Sequence, residues 1–232
     1  MSLKKQIIEY IKSNRVSTTE VADALNKTGA LENVMPVTCN RHEVGVIRCI
    51  FASFGSNYHV HEQIKALQEN EIALIITHEC ENKAVLGELV SKYCLLYRGV
   101  KAIVIDGLVR DISAIKRQSM NVWCKGTTPI GCVNQDKGLF PAEKETYYRN
   151  KYDGAIAVCD DGGVVIIENE KINENILQRL HYIEVQEDIW FFCLDTLKWD
   201  TKKIVCDKAY LTEKSLLSEV HIQQLNELKN NK

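Results

Sequence analysis

A short stretch near the middle of the chain combines two acids with an arginine, at Asp106, Arg110 and Asp111. It follows the largely apolar run Lys101–Ile105, whose composition is that of a buried strand. In α/β proteins ligands bind beyond the carboxyl ends of strands, and charges buried there without a partner are costly. A guanidinium beside carboxylates can bind a small oxo-acid together with a divalent cation, so this stretch is the first candidate site.

A second stretch, Leu86, Gly87 and Glu88, offers a cradle for an anion. These residues are predicted to open a helix that follows another apolar strand, Ile72–Thr77. Glycine near a helix N-terminus lets an anion approach the free backbone N–H groups. Together with Arg110, this stretch supplies the groups that a small oxo-acid needs.

Each of these residues also has a simpler explanation. Asp111 and Glu88 suit the first turn of a helix, where capping and the helix dipole favour acids. Asp106 with Gly107 could merely turn the chain at the end of a strand. The combination of groups, rather than any one of them, favours a binding site.

Three other groups of residues could carry chemistry, and for each a structural role is favoured. His78 and Cys80 lie beside glutamates, but a zinc site needs four ligands, with a second pair elsewhere. His59 and His61 are expected to be surface histidines. Tyr147–Arg149 could close over an anionic substrate, yet a packed loop is the preferred interpretation.

The elements that must position these groups alternate between strands and helices, which favours an α/β or mixed core. Strands are predicted at Val44–Ser53, Ile72–Thr77, Lys101–Ile105 and Val122–Cys124, with a hairpin of Ala155–Val158 and Val164–Ile167. Helices are predicted at Lys83–Arg98 and Asp111–Gln118, and a capping box at Ser17–Glu20 predicts the start of another helix near the N-terminus. Residues 125–153 are predicted to form a long excursion. We expect a core domain over 1–182 and a C-terminal appendage over 183–232 that packs on the core or on a neighbouring subunit.

The composition argues against several classes of protein. Of the 232 residues 45% are hydrophobic and 26% charged, and the net charge of −2 gives no support to nucleic-acid binding. No apolar stretch is long enough to span a bilayer, and the N-terminus lacks the apolar core of a signal peptide, so we expect a cytoplasmic protein without a membrane partner. The nine cysteines are odd in number and form no C-x-x-C pair, which favours reduced thiols.

The run Gly87-Glu88-Leu89, followed by Gly99–Asp111 (GVKAIVIDGLVRD), resembles the signature of the RraA-like family. That family includes 4-hydroxy-4-methyl-2-oxoglutarate and 4-carboxy-4-hydroxy-2-oxoadipate aldolases and the regulator of ribonuclease activity A. Further segments resemble the family in the same order, at Ser17–Leu25, Val122–Pro129 and Asp160–Ile167. The resemblance therefore covers most of residues 16–168.

The resemblance implies an α/β fold of the swivelling β/β/α type, with a central mixed sheet and flanking helices. It implies a metal-dependent aldolase that splits a 4-hydroxy-2-oxo acid into pyruvate and a second oxo-acid, and that also decarboxylates oxaloacetate. Asp111 would bind Mg²⁺ or Mn²⁺, Arg110 would hold the substrate and stabilise the enolate, and Glu88 would orient a water on the metal. Backbone amides of Leu86–Glu88 would hold the pyruvyl carboxylate. The family further implies a homotrimer or a dimer of trimers.

The sequence departs from the family pattern at the third acid of the motif, where it has Ala114 beside Ser113. In the family a C-terminal glutamate also comes from a neighbouring subunit, and Glu184 or Glu187 could supply it. Two alternatives therefore stay open beside the lyase. One is a non-catalytic regulator that binds a protein such as a ribonuclease, and the other is an enzyme on the same scaffold that acts on a different oxo-acid or sugar acid.

Overall fold

The structure, a computed structural model, describes residues 1–230, with only the backbone over 227–230. The chain forms two compact units, Met1–Asn173 and a second unit that begins at Glu174. The expected boundary at 182–183 falls inside the continuous helix Glu174–Asp195. The division in the structure lies ahead of that helix.

The first unit is built on a mixed sheet that takes in all eight strands. In chain order these strands are β1 Met35–Pro36, β2 Glu43–Ser53, β3 Glu71–His78, β4 Ala84–Leu86, β5 Ala102–Val109, β6 Val122–Thr127, β7 Ile156–Asp160 and β8 Gly163–Ile167. Their order across the sheet is β1-β6-β5-β3-β2-β7-β8, and β4 pairs with β5 beyond that path. Strands β2, β3, β5 and β6 are parallel neighbours, whereas β1, β7 and β8 pair antiparallel.

Helices and apolar clusters cover both faces of this sheet. The helices of the first unit are α1 Leu3–Asn14, α2 Thr18–Ala24, α3 Tyr58–Gln63, α4 Glu88–Lys92, α5 Ile112–Arg117 and α6 Ala142–Tyr152. Along β3, Ala73 and Ile75 join one buried cluster while Ile72 and Leu74 join the other, as the period of two in a strand requires. The expected α/β fold with a central mixed sheet and flanking helices is confirmed, as is the capping box of Ser17 and Glu20 at the start of α2.

Two predicted elements near the candidate site are different in the structure. The helix predicted from Lys83 begins only at Glu88, because Ala84–Leu86 form β4 and pair with β5. Its last turn, Tyr93–Tyr97, is a π-helix. The strand predicted to end at Ile105 continues to Val109, so Asp106 and Gly107 lie within β5 rather than in a turn.

The predicted excursion over 125–153 contains the end of β6 and the whole of α6. None of the α6 residues is buried, so its sequence carries no apolar periodicity by which the helix could be recognised. The hairpin predicted after it is confirmed as β7 and β8, which pair antiparallel around Asp160 and Gly163.

The second unit has its own apolar cluster. It contains α7 Glu174–Asp195, a π-helical turn at Lys202–Cys206 and α8 Glu219–Asn230. The cluster is formed by Ile189, Cys193, Ile204, Tyr210, Leu217 and Leu225, with Trp190, Phe192 and Trp199 packed against it. Within the described part of the chain, no helix is both long and apolar enough to cross a bilayer.

Candidate functional site

The candidate site is assembled where β4 lies beside the end of β5. The backbone N–H of Arg110 donates to the carbonyl of Leu86 at 3.0 Å, which extends the pairing of the two strands. This contact brings the Leu86–Glu88 stretch directly against Arg110 and Asp111. The structure therefore brings together five of the residues that the sequence assigned to the site, Leu86, Gly87, Glu88, Arg110 and Asp111.

Gly87 permits the closest approach in this cluster. A Cβ atom at this position would overlap Oδ2 of Asp111 and would lie 2.8 Å from Cγ of Arg110. The backbone of Gly87 is extended, with φ −142°, so any residue could adopt its conformation. Glycine is required here by the neighbouring side chains rather than by backbone strain.

Asp111 does not cap the helix that it precedes. It stands at the N-cap of α5 in the left-handed region, with φ 59° and ψ 33°, and its side chain makes no capping bond to α5. Instead, Oδ2 accepts a hydrogen bond from the backbone N–H of Glu88 at 3.0 Å, at the start of α4. A left-handed conformation at a residue other than glycine costs about 1–3 kcal/mol. The carboxylate is therefore held across two helices in a way that plain helix capping does not explain.

The Arg110 side chain lies between two glycines from distant parts of the chain. Gly87 packs against one side of this side chain, and Gly131 packs against its guanidinium. The approach of Gly131 is close, since a Cβ atom at Gly131 would lie 2.8 Å from Nη1 of Arg110. Nε of Arg110 lies 3.7 Å from Oδ2 of Asp111, and the arginine side chain is 50% exposed. The guanidinium thus keeps donors available for an anionic ligand.

Glu88 is the first residue of α4, and its side chain is held by a residue that the sequence analysis did not select. Nε2 of Gln118 donates to Oε1 of Glu88. Gln118 stands four residues after Ala114, which is buried and carries no polar group. The spacing of one helical turn from the missing motif acid is the signal that could have identified Gln118.

A small cleft of about 110 Å³, partly open to solvent, adjoins these residues. Its lining includes Asn57, His61, Leu86, Gly87, Leu89, Arg110, Asp111, Gly131, Cys132 and Asn134. His61 is half-buried and lines this cleft, whereas His59 does not line it and contacts Asp136 at 3.0 Å. Asn57 donates to the carbonyl of Val85 at 3.1 Å, while its buried Oδ1 has no hydrogen-bond partner among the described residues.

The segment 130–134 enters this cleft by pairing with β4. The backbone N–H of Ala84 donates to the carbonyl of Ile130 at 2.8 Å, and the backbone N–H of Cys132 donates to the carbonyl of Ala84 at 2.9 Å. These contacts join residues far apart in sequence, so local periodicity could not reveal them. Asp106 does not line the cleft; its carboxylate pairs with Lys125 on the neighbouring strand β6.

The other candidates of the sequence analysis lie elsewhere. His78 lines a separate cleft with Phe140, Lys144 and Tyr148, and its Nδ1 lies 3.4 Å from Nζ of Lys144. Over the described residues, no three or more histidines, cysteines and acids are grouped to hold a metal ion. The guanidinium of Arg149 lies 4.8 Å from the ring centroid of Phe51, so it contributes to packing.

The donor set at Asp111 suits a hard cation. Its carboxylate is 43% exposed, and its contacts to Glu88 and Arg110 both use Oδ2. Within the described residues Oδ1 has no hydrogen-bond partner. Magnesium is commonly held by one or two carboxylates and completes its shell with water and substrate oxygens. Asp111 therefore fits Mg²⁺ or Mn²⁺, while a site made wholly of protein ligands is not formed by the described residues of this chain.

The two C-terminal candidates lie on α7 in the second unit. Burial raises the pKa of Glu184 to about 7, and Asp188 and Glu187 add to the shift through like-charge repulsion. A carboxyl group with such a pKa can both give and take a proton near neutral pH.

Comparisons with known proteins agree with this geometry. The RraA-like family (Aldolase/RraA) matches residues 18–166, more than half of the chain. A protein of Halalkalibacterium halodurans named "Putative 4-hydroxy-4-methyl-2-oxoglutarate aldolase" is 26% identical over 174 residues, which are 74% of this chain and 82% of that protein.

Two solved structures share the fold. An uncharacterized protein from Pseudomonas syringae pv. tomato superposes with a TM-score of 0.64 at 16% identity, over 83% of this chain and 93% of the other. Streptomyces coelicolor RraAS2, described as an unusual member of the RNase ES inhibitor RraA protein family, superposes with a TM-score of 0.61 at 18% identity, over 79% of this chain and 96% of the other. The solved structures support the fold, and the match of the family model over more than half of the chain shows that this chain belongs to the RraA-like family.

Proposed function

We propose that this protein is a divalent-cation-dependent lyase that cleaves a 4-hydroxy-2-oxo acid into pyruvate and a second oxo-acid, and that decarboxylates oxaloacetate. The observation that carries the proposal is the contact of Gly87 with both Arg110 and Asp111. It places an exposed guanidinium and a partly unsatisfied carboxylate side by side in one cleft. The 26% identical relative named as an aldolase supports the reaction class.

Arg110 is proposed to bind the substrate and to stabilise the enolate. Cleavage of the bond between C3 and C4 leaves its electron pair on the pyruvyl fragment, and the negative charge develops on the enolate oxygen. A preorganised guanidinium stabilises such charge more in the transition state than in the ground state. A divalent cation bound at Asp111 would supply further neutralisation of the oxo-acid oxygens.

The amide cradle needs one revision. The backbone N–H of Glu88 already donates to Asp111, so it is occupied before a substrate arrives. Arg110 is therefore proposed as the principal group for the pyruvyl carboxylate, with the Leu86–Glu88 backbone forming the wall beside it. Glu88 keeps its proposed role of orienting water, because Gln118 fixes its side chain.

His61 is proposed to transfer the proton that the missing motif acid would handle. Cleavage requires a base for the C4 hydroxyl and an acid for the enolate carbon, and Ala114 can serve as neither. His61 lines the same cleft as Arg110, and an imidazole can both accept and donate a proton.

The decisive test is pyruvate release from oxaloacetate and from 4-hydroxy-4-methyl-2-oxoglutarate, with Mg²⁺, with Mn²⁺ and with EDTA. Asp111→Asn keeps the shape and the left-handed preference of the residue but removes its charge. The matched control is Asp106→Asn, since Asp106 pairs with Lys125 outside the cleft. Cation-dependent release that is lost in Asp111→Asn and kept in Asp106→Asn would support the lyase. Equal activity in both variants would refute the role of Asp111.

We also propose the assembly that the family implies, a homotrimer or a dimer of trimers. The supporting observation is a set of exposed apolar side chains on α4 and its last turn: Leu89 is 81%, Leu96 67% and Tyr97 73% exposed. Light scattering should give the mass of three or six chains, and Leu96→Glu should lower it. If a second copy supplies Glu184 or Glu187, mixing Glu184→Gln with Asp111→Asn protein should restore part of the activity.

A second candidate function is that of a non-catalytic regulator that binds another protein. It is favoured by the apolar residue at Ala114 and by the fold shared with a member of an RNase inhibitor family. Folded protein that releases no pyruvate and shows no Mg²⁺ binding by calorimetry would favour this function. Cation binding without pyruvate release from oxaloacetate or from 4-hydroxy-4-methyl-2-oxoglutarate would favour an enzyme with a different oxo-acid or sugar-acid substrate. Binding of nucleic acid or of a membrane is not expected.

A further inference from the structure

A second cleft lies between the end of β3 and helix α6, and we call it the α6 cleft. Its lining includes Thr77 and His78, which are the last residues of β3, together with Phe140 and residues from the first two turns of α6. Its volume is about 280 Å³, close to the lower end of the range of roughly 300–1,000 Å³ that small-molecule sites have. Since ligands of α/β proteins bind beyond the carboxyl ends of strands, the α6 cleft has the position and the size of a site for a small ligand.

The α6 cleft contains an ammonium group that is held in place but not neutralised. Nζ of Lys144 lies 3.4 Å from Nδ1 of His78. An ammonium group can only donate, so Nδ1 is the acceptor, and the ring N–H is on Nε2, which lies 3.4 Å from Oε1 of Glu79. Among the described residues no carboxylate forms a salt bridge with Lys144, and two of its three donors remain for a ligand.

Aromatic rings line the same cleft. The ring centroid of Phe140 lies 5.7 Å from that of His78 and 6.4 Å from that of Tyr148. The ring centroid of Tyr147 lies 5.2 Å from that of Tyr148, and Tyr147 is 56% exposed. These rings meet one another edge to face, at interplanar angles of 64°, 70° and 72°. The ring of a ligand can pack against them in the same way.

The motif Tyr147–Arg149, which could close over an anion, is divided in the structure. Tyr147 and Tyr148 line the α6 cleft, whereas Arg149 packs over the ring of Phe51. Neither tyrosine lines the cleft of Arg110. The cation that accompanies the two tyrosines is therefore Lys144 rather than Arg149.

We propose that the α6 cleft is a binding site for a small aromatic carboxylate with one ring and one negative charge. Lys144 pairs with the carboxylate, and the ring packs against Tyr147 and Tyr148. Glu143 lines the cleft as well, so it repels a second negative charge, which disfavours phosphate and dicarboxylates. The site does not depend on the proposed lyase, because its lining shares no residue with that of the cleft of Arg110.

The test measures the binding of benzoate to the whole protein by saturation-transfer difference NMR. For a ligand of about nine heavy atoms in an open cleft we expect a Kd on the order of 1 mM. Cyclohexanecarboxylate lacks the aromatic ring and benzyl alcohol lacks the charge, so each should bind more weakly than benzoate. Inorganic phosphate, which has no apolar part, should not displace benzoate.

Single substitutions assign the binding to the α6 cleft. Lys144→Gln should weaken benzoate binding about three- to fivefold, the effect of an exposed ion pair. The matched control Lys137→Gln, at an exposed lysine outside the cleft, should leave binding unchanged. Glu143→Gln should strengthen binding, because it removes a like charge. These side chains are exposed, so the variants are expected to fold, and circular dichroism checks this.

Three results would overturn the proposal. The first is that benzoate receives no saturation from the wild-type protein. The second is that benzyl alcohol or cyclohexanecarboxylate binds as tightly as benzoate, or that phosphate displaces it. The third is that Arg110→Lys weakens benzoate binding while Lys144→Gln does not, which would place benzoate in the other cleft. Binding of benzoate through Lys144 in a protein without pyruvate release would support the α6 cleft and count against the lyase alone.

Discussion

Replacing Gly87 by alanine isolates the contact on which the candidate site depends. The extended backbone of Gly87 accepts alanine without strain, so the change acts only through the new methyl group. That group would overlap Oδ2 of Asp111 and crowd Cγ of Arg110 at 2.8 Å. The carboxylate must move, and its hydrogen bond from the N–H of Glu88 is then stretched or lost.

The magnitude follows from that bond and from the displacement. A hydrogen bond to a charged group contributes about 1.5–3 kcal/mol, so we expect Gly87→Ala to lower the free energy of unfolding by roughly 1–3 kcal/mol. A displacement of about 1 Å in a catalytic group typically costs on the order of 100-fold in rate. We therefore expect kcat/KM for pyruvate release to fall about 100-fold, while circular dichroism shows a folded protein.

The matched control is Gly126→Ala on β6. A Cβ there would meet only Cδ2 of Leu108 at 3.1 Å, the end of a flexible side chain. This variant should keep its activity within about twofold, since its methyl group touches no charged residue. Wild-type activity and wild-type Mg²⁺ affinity in Gly87→Ala would refute the idea that this glycine sets the position of Asp111 and Arg110.

Three further predictions concern single groups. Arg110→Lys keeps the charge but loses the forked donor geometry, so kcat/KM should fall by at least about tenfold, and unchanged kinetics would remove Arg110 from the mechanism. His61→Gln should lower kcat about 100-fold, whereas His59→Gln should not; equal effects would exclude His61 as the proton-transfer group. Because the pKa of Glu184 is raised to about 7, the folded state binds a proton more tightly than the unfolded state. The wild-type free energy of unfolding should therefore decrease between about pH 4.5 and pH 7, by about 1–2 kcal/mol after allowance for solvent screening, and Glu184→Gln should lack that decrease in urea titrations.

The parts of the fold that could be predicted from sequence are those that depend on local patterns. The capping box at Ser17, the buried strand β3 and the hairpin of β7 and β8 each have a short-range signal, and each is confirmed. The helix α6 was missed because it buries none of its residues, which leaves no periodicity to detect. Strand β4 was taken for helix, because Val85 and Leu86 share helical spacing with Leu89 although they pack in the sheet.

The candidate site, too, contains residues that could be predicted from sequence and residues that could not. Arg110, Asp111 and Glu88 follow from a strand end, a glycine and the family resemblance, and the structure brings them together, although their roles remain to be tested. Cys132 could not be assigned to the cleft from sequence, since it enters the cleft through the pairing of 130–134 with β4. His61 reaches the cleft on α3, whose N-cap residue Asn57 donates to the carbonyl of Val85. Contacts of this kind depend on the tertiary fold rather than on local propensity.

The short length of β4 has a consequence for how the site is lost on heating. This strand of three residues pairs with β5 over a short stretch, and further backbone hydrogen bonds attach it to its surroundings, from Arg110 to Leu86, from Ala84 to Ile130 and from Cys132 to Ala84. The inner strands β3 and β5, in contrast, pair over the whole span from Ile72 to Ile76. Segments with few such bonds open at a lower free energy than the core, so the amide protons of Ala84, Arg110 and Cys132 should exchange with solvent together and ahead of those in β5. The cleft can then melt as a unit while the sheet stays intact, and inactivation by heat would precede unfolding of the chain.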